Sequence, residues 1–317
     1  MRIRALAKIN LDLRVLGKRP DGYRELRTVF QTVSLADTID IEVKQGRARV
    51  EVDSDIPDNI LTRAASLVLD TLQVNAQVKL QLHKVIPMGG GLGGGSSDAA
   101  AVLIALPALL KKTIPIETLM ELAAKLGSDV PFFLLGGTAV GIGRGTELFP
   151  LPDLPSLPAL LVAPGIHVST AEAYMALERA LAPELTIGLQ SSTMSTFQAF
   201  VWRVASRFPA RQWGSANDFE RVVFPQHPEI ESIRGKLWTL GARPALMSGS
   251  GSTLFGVFAD REAREKARGK LKQQFGNAKV FPVTLVSRRA YGALWRRQLG
   301  GVGEPGLWPP QSQHVVA

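Results

Sequence analysis

Residues 87–100 read PMGGGLGGGSSDAA, with six glycines in seven positions, then two serines and the start of an alanine-rich run. A glycine has no Cβ and takes positive φ readily, so successive backbone N–H groups can turn inward and form an anion-binding concavity. A helix starting directly behind such a loop adds unpaired N–H groups and the positive end of its dipole. Ser96 and Ser97 can cap that helix and offer hydroxyls to a phosphate or to a metal bound to it. The chemistry favoured is the holding of a polyphosphate, a nucleoside triphosphate above all. This is not a Walker A loop, since no lysine follows the glycines. Nor is it a dinucleotide fingerprint, because the interval where a ribose-binding acid should stand is filled by helix, and Glu117 and Glu121 lie in another helix. A flexible glycine-serine linker is the bland alternative, but linkers do not sit between a patterned strand and an alanine-rich helix.

Three further places carry groups that could act beside a phosphate. Asp129 falls just after Gly127 and just before Pro131, which puts it on a turn, where either a turn-forming or a catalytic carboxylate fits. Lys8 and Asn10 share one face of the strand ALAKINLDL. If Leu6 faces the core, that lysine is buried and needs a partner; in the opposite register it is exposed. KRPDGY sets Tyr23 on a rigid turn, able to present its ring or simply to pack it.

The elements that must position these groups follow from periodicity. RIRALAKINLDLRVLG, TVFQTVSLADTIDIEVKQG and ARVEVD alternate like strands, and VKLQLHKVIP is a strand running into the glycine loop. NILTRAASLVLDTL, the run from Ser97 to about Lys112 and IETLMELAAKLG are helical, with Gly127 as a C-cap. TAVGIGRGTELFPL is a strand pair. PLPDLPSLPALL, from Pro150, marks a boundary. The expected division is 1–152, 153–300 and a mobile tail, 301–317. Beyond the boundary come a strand, a helix (STAEAYMALERAL), a polar loop with Ser191 to Ser195, helical stretches, a second glycine-serine turn in MSGSGSTLFGVF, a surface helix (DREAREKARGKLKQQF) and a final strand.

The 317 residues, 45% hydrophobic, are enough for two domains. With no cysteine there is no disulfide or thiolate site, and the four histidines have no metal-ligand spacing. The longest apolar stretch, 99–110, is too short to span a bilayer, and the N-terminus lacks a signal peptide's apolar block. A cytoplasmic protein is expected, with no membrane partner. Net charge is +9, mostly dispersed, which suits a small anionic ligand better than a nucleic acid.

The glycine loop closely resembles the phosphate loop of the galactokinase–homoserine kinase–mevalonate kinase–phosphomevalonate kinase superfamily. AKINLDLRVLGKRPDGYRELRTVFQTVSLADTI, LGSDVPFFLLGGTAVGIGRG, NDFE and MSGSGSTLFGVF are similar, in order, to the branch acting on a cytidine-diphosphate-linked methylerythritol in non-mevalonate isoprenoid synthesis. The resemblance implies an α+β, two-domain small-molecule kinase fold. Its N-terminal α/β domain has a left-handed crossover, and its C-terminal domain is a ferredoxin-like α+β sandwich. It implies phosphoryl transfer from ATP, with Mg²⁺, to the tertiary 2-hydroxyl of that small-molecule substrate.

Residue by residue, the resemblance makes Asp129 the catalytic base and Lys8 the catalytic lysine. ATP is expected to meet the loop from Pro87 through Met88, Gly89, Gly90, Gly91, Leu92, Gly93, Gly94, Gly95, Ser96 and Ser97, with Asn59 and Lys84 near adenosine. The substrate is expected to meet Asn10, Tyr23 (stacked on cytosine), Thr170 and Tyr174. Arg24 departs from the family's usual histidine at the cytosine edge: arginine donates to the base or the diphosphate but accepts nothing. No dedicated carboxylate cage for a metal is visible, and Ser97 is a candidate indirect ligand. Two other readings remain: a homoserine- or mevalonate-type kinase, against which Tyr23 argues, and a basic nucleic-acid-binding protein.

Overall fold

A computed structural model describes residues 1–19, 22, 24–54, 56, 59–181, 187–206 and 209–300. Tyr23 and the tail 301–317 lie outside them.

The first half is built on β1 (Arg2–Lys18), β2 (Arg24–Gln45) and β3 (Arg49–Asp53), followed by α1 (Ile60–Leu72) and β4 (Ala76–His83). Behind the glycine loop come α2 (Gly94–Leu109), α3 (Ile116–Leu126), α4 (Val130–Leu135), β5 (Thr138–Gly143) and β6 (Glu147–Pro150). The sheet runs β3–β4–β2–β5–β6, with β1 paired along β2. β2 is long enough to pair with β4 over Thr38–Gln45 and with β5 over Leu26–Gln31. β3 and β4 are the parallel pair, joined through α1.

The second half holds β7 (Pro158–Ala163), α5 (Thr170–Leu181), α6 (Ile187–Ala205), α7 (Glu220–Gln226), α8 (Pro228–Thr239), β8 (Ala245–Met247), β9 (Leu254–Val257), α9 (Arg261–Gln274), β10 (Lys279–Thr284) and α10 (Arg288–Gln298). Its antiparallel sheet runs β10–β7–β9–β8, the strand arrangement of a ferredoxin-like sandwich.

One apolar core lies between the first sheet and α1–α4, and a second between the second sheet and its helices. A third joins the sheets, where Ile9, Leu11 and Val29 meet Leu161, Phe200, Trp213 and Phe255. The middle of β1, residues 5–13, therefore has no solvent face: Leu6, Lys8, Asn10 and Asp12 are as buried as the apolar residues between them.

Two expectations need correction. The helix expected from Ser97 begins at Gly94, because Gly93 takes the cap position at φ 67°. Ser96 and Ser97 thus lie inside the first turn and do not cap it. The polar loop expected from Ser191 to Ser195 lies instead inside α6. The stretch 151–157 between β6 and β7 is irregular. α10 buries Tyr291 and Trp295 in the first half's core. Gly136 and Gly137 let it approach: a Cβ on Gly136 would sit 2.1 Å from the Tyr291 ring, and one on Gly137 2.6 Å from the Arg288 backbone.

Candidate active site

The glycine loop takes left-handed conformations at alternate residues, with φ 65° at Gly89, 75° at Gly91 and 67° at Gly93. Such alternation curls backbone N–H groups toward a common point, and the unpaired N–H groups of the first turn of α2 follow directly. Most of the glycines are required by the protein itself. A Cβ at Gly90 would meet the Thr253 hydroxyl at 2.5 Å, one at Gly91 the Ser248 carbonyl oxygen at 2.0 Å, and one at Gly94 the Lys84 ammonium at 3.0 Å. Gly95 alone of the loop has nothing within 4 Å. Its bare face opens on the cavity beyond.

Two cavities meet at this loop. One, of about 650 Å³, lies between the halves and includes Lys8, Asn10, Thr28, Asp129, Arg144 and Tyr174 in its wall. The other, of about 490 Å³, includes Asn59, Lys84, Pro87, Met88 and Asp98. Gly89, Gly91, Gly93 and Ser96 line both, so the loop is their shared wall.

In the first cavity the side chain of Lys8 is only 4% exposed, and its ammonium lies 3.2 Å from Asp129 Oδ2. It also donates to Asn10 Oδ1 at 2.8 Å and stands over the Phe30 ring at 5.5 Å. These contacts satisfy the buried cation. The position comes from β1: breaks in register after Leu6 and after Asn10 bracket the segment, and the Lys8 N–H turns to the Leu92 carbonyl instead of to β2. Asp129 is the N-cap residue of α4 but makes no side-chain cap bond, which leaves its carboxylate to Lys8 and the cavity. Asn10 donates to Thr28 Oγ1 at 2.8 Å, and Thr28 donates to the Asp12 carbonyl.

The second glycine turn faces the first. Ser248 Oγ donates to the Gly91 carbonyl at 2.9 Å and accepts from the Asn10 N–H at 3.3 Å. Asn217 holds this turn from behind, donating to the Met247 and Gly249 carbonyls at 2.8 Å each. Glu220 accepts from the Met247 N–H, and burial pushes its carboxyl up to about 7. At the other end of the cavity, Thr170 and Ser250 share a hydroxyl contact of 2.8 Å. Tyr174 packs edge-on against Phe219, ring centres 4.8 Å apart. Burial, with help from the Asp129 charge, pushes the Tyr174 hydroxyl up to about 12. Arg24 lines this end and pairs with Glu178 of α5.

In the second cavity Asn59 caps α1 through Oδ1, which accepts from the Leu61 N–H at 3.0 Å. Its amide nitrogen is buried with no partner among the described residues. Lys84 is gripped by Asp37 and Asp98. Burial raises the Asp98 carboxyl well above the usual range, the more so with Asp37 beside it. Ser97, expected to serve the phosphates or a metal, is 2% exposed and donates its hydroxyl to the Leu6 carbonyl at 2.7 Å. That ties α2 to β1; Ser96 is the serine on the cavities.

The structure thus gathers Lys8, Asn10, Arg24, Asp129, Thr170 and Tyr174 in one cavity and Asn59 and Lys84 in the other. Thr28, Phe30, Arg144 and Phe219 line the same cavity and Ser248 bonds to the glycine loop beside it, though none of them is expected there from the sequence. Phe219 lies in NDFE and Ser248 in MSGSGS, both motifs that carry the family resemblance, whereas Thr28 and Phe30 sit in an ordinary alternating strand with no signal to find them.

No helix among the described residues is long and apolar enough to cross a membrane, and no cluster of three or more His, Asp or Glu there could hold a metal. Residues 59–137 match the GHMP kinases N terminal domain and residues 209–277 the GHMP kinases C terminal. The chain is 51% identical to 4-diphosphocytidyl-2-C-methyl-D-erythritol kinase of Solibacter usitatus, covering 98% of this chain and 97% of that one. It is 40% identical to the like-named protein of Geobacter sp. (strain M21), covering 87% and 96%. A solved 4-(cytidine 5'-diphospho)-2C-methyl-D-erythritol kinase superposes with a TM-score of 0.74 at 36% identity, over 90% of this chain and 99% of that one. Homoserine kinase from Cytophaga hutchinsonii superposes with a TM-score of 0.71 at 18% identity, over 90% and 95%, a likeness of fold.

Proposed function

The chain belongs to the 4-diphosphocytidyl-2-C-methyl-D-erythritol kinases of the GHMP kinase superfamily, and from that premise we infer what each part of the cleft does. It is a phosphotransferase of isoprenoid biosynthesis that uses ATP to phosphorylate an alcohol of its cytidine-diphosphate substrate.

In our reading ATP lies in the smaller cavity and the acceptor in the larger. The observation that carries this is the loop itself, the common wall of both. A γ-phosphoryl held on its N–H groups reaches the acceptor side, where the Lys8–Asp129 pair stands. The acceptor 2-hydroxyl oxygen attacks the γ-phosphorus, a new O–P bond forms, and the bond to the β,γ-bridging oxygen breaks to release ADP. Asp129 takes the hydroxyl proton, and Lys8 lowers the hydroxyl's proton affinity and keeps the carboxylate turned toward it. The loop's N–H groups carry the charge of the transferred group. The unpaired Asn59 amide supplies a donor for the nucleotide's base or ribose, and Asn10 orients the acceptor.

Mg²⁺ fits the donor set. Ser96 Oγ and the Asp129 carboxylate are hard oxygen donors beside the loop, suited to a cation held mostly by phosphates and waters. When bound, Mg²⁺ neutralises charge on the β- and γ-phosphates. We place the work in the cytoplasm, where ATP is available, with the chain dividing at 151–157 and α10 counted with the first half.

ADP release with Mg-ATP and the cytidine-diphosphate substrate, for the parent and Asp129→Asn, tests the assignment. The expected result is turnover by the parent and a kcat loss of about a hundredfold or more in the variant, KM near normal. A variant as fast as the parent removes Asp129 from the chemistry.

A further inference from the structure

Thr28, on β2, is buried beside Asn10 in the wall of the acceptor cavity. Its hydroxyl donates to the Asp12 carbonyl at 2.8 Å. A hydroxyl has a single hydrogen, so with that hydrogen committed Thr28 Oγ1 meets any other group only as an acceptor. The group it meets is the Asn10 side chain, also at 2.8 Å, which must therefore turn its NH₂ end to Thr28. The other end, Oδ1, then faces the Lys8 ammonium at 2.8 Å. That is the end the ammonium needs, because it donates and never accepts.

An asparagine amide keeps almost the same outline when it turns over, so packing alone does not choose between its two orientations. Turned over, Asn10 would set its NH₂ group against the Lys8 ammonium, donor to donor. Its oxygen would face Thr28 Oγ1, acceptor to acceptor, for as long as Thr28 keeps the Asp12 carbonyl. The polarity of the whole line, from Asp12 through Thr28 and Asn10 to Lys8, is therefore set at its first member, a main-chain carbonyl that cannot turn. The line starts where β1 changes register against β2, between Asn10 and Asp12.

We propose that Thr28 is a positioning residue for phosphoryl transfer: it fixes which way round the Asn10 amide stands and so keeps Lys8 directed at the acceptor hydroxyl. The proposal rests on the reading of Lys8 and Asp129 as the reacting pair. One N–H of Lys8 is held by Asn10 and another by Asp129, which leaves the third for the acceptor oxygen. The effect of Thr28 on the reaction passes through Asn10.

The test is steady-state kinetics with Mg-ATP and the cytidine-diphosphate substrate for the parent, Thr28→Val, Thr28→Ser, Asn10→Ala and the double variant Thr28→Val/Asn10→Ala, with melting curves to confirm folding. Thr28→Val keeps the outline and puts a methyl group in place of the hydroxyl; its kcat falls about tenfold or more while the KM for ATP stays near normal. Thr28→Ser, which keeps the hydroxyl, stays within about threefold of the parent. On the Asn10→Ala background Thr28→Val costs less than about twofold, because no amide remains to be oriented. An unchanged kcat in Thr28→Val overturns the proposal. So does a Thr28→Ser as slow as Thr28→Val, or an equal loss on both backgrounds, either of which means that Thr28 only shapes the cavity, and the kinase reading stands in all three cases. A parent without turnover, or a Lys8→Met variant as fast as the parent, fails one step earlier and takes both the reacting pair and this proposal with it.

Discussion

Gly91 and Ser248 meet backbone to backbone, so that a single methyl on Gly91 would lie 2.0 Å from the Ser248 carbonyl oxygen. The phosphate loop of the first half and the turn of the second are therefore one assembly, and glycine there serves the protein before it serves any ligand.

Gly91→Ala is expected to lower Tm by several degrees and abolish turnover, because the backbone facing it cannot yield without separating the halves. Gly95→Ala, which meets nothing within 4 Å and needs no positive φ, should melt like the parent and raise only the KM for ATP. Equal melting points for the parent and Gly91→Ala would show that the two loops are not in contact.

Lys8→Met keeps much of the side-chain volume and removes the charge beside Asp129. A kcat loss of about a hundredfold or more with near-normal KM for ATP is expected, since the effect falls on the reacting hydroxyl. An effect confined to the KM for ATP would put Lys8 on the nucleotide instead.

Asn217→Ala removes the two bonds that Asn217 donates to the second glycine turn and leaves the Met247 and Gly249 carbonyls without that donor. Unfolding in urea should show a loss of about 1–3 kcal/mol, with a fall in kcat/KM although Asn217 lines neither cavity. Unchanged stability would mean that the turn stands without this residue.

Burial raises the Glu220 carboxyl to about 7 and raises Asp98 as well. In the unfolded chain both return to values near 4. Between about pH 4.5 and 7 the native state keeps protons that the unfolded state has released, so these two groups make stability fall as pH rises through that window and level off above it. Glu25 and Asp40, held low by arginine partners, act in the opposite sense, at lower pH. Melting curves at pH 5 and pH 8 should show the decline in the parent and a smaller one in Glu220→Gln; superimposable declines would exclude Glu220 as a source.

The sequence carried the loop plainly, because glycine spacing between a strand and a helix has few other uses. It could not carry the bareness of Gly95 against the crowding of Gly91, since that depends on residues some 160 positions away. The burial of Lys8 was open until the register of β1 was known, and two breaks in that register decide it. Ser97 misled because its neighbour Ser96 has the same chemistry; only the helix start at Gly94 separates their roles.

α10 has a consequence for synthesis. It is the last helix described, yet Tyr291 and Trp295 fill the core of the first half, with the Tyr291 hydroxyl donating to the Phe133 carbonyl. Chain elongation runs at about 5–20 residues per second, so the nascent first half waits on the order of ten seconds or more for the piece that closes it. During that interval the phosphate loop exists, but the layer that supports it stays open until α10 arrives.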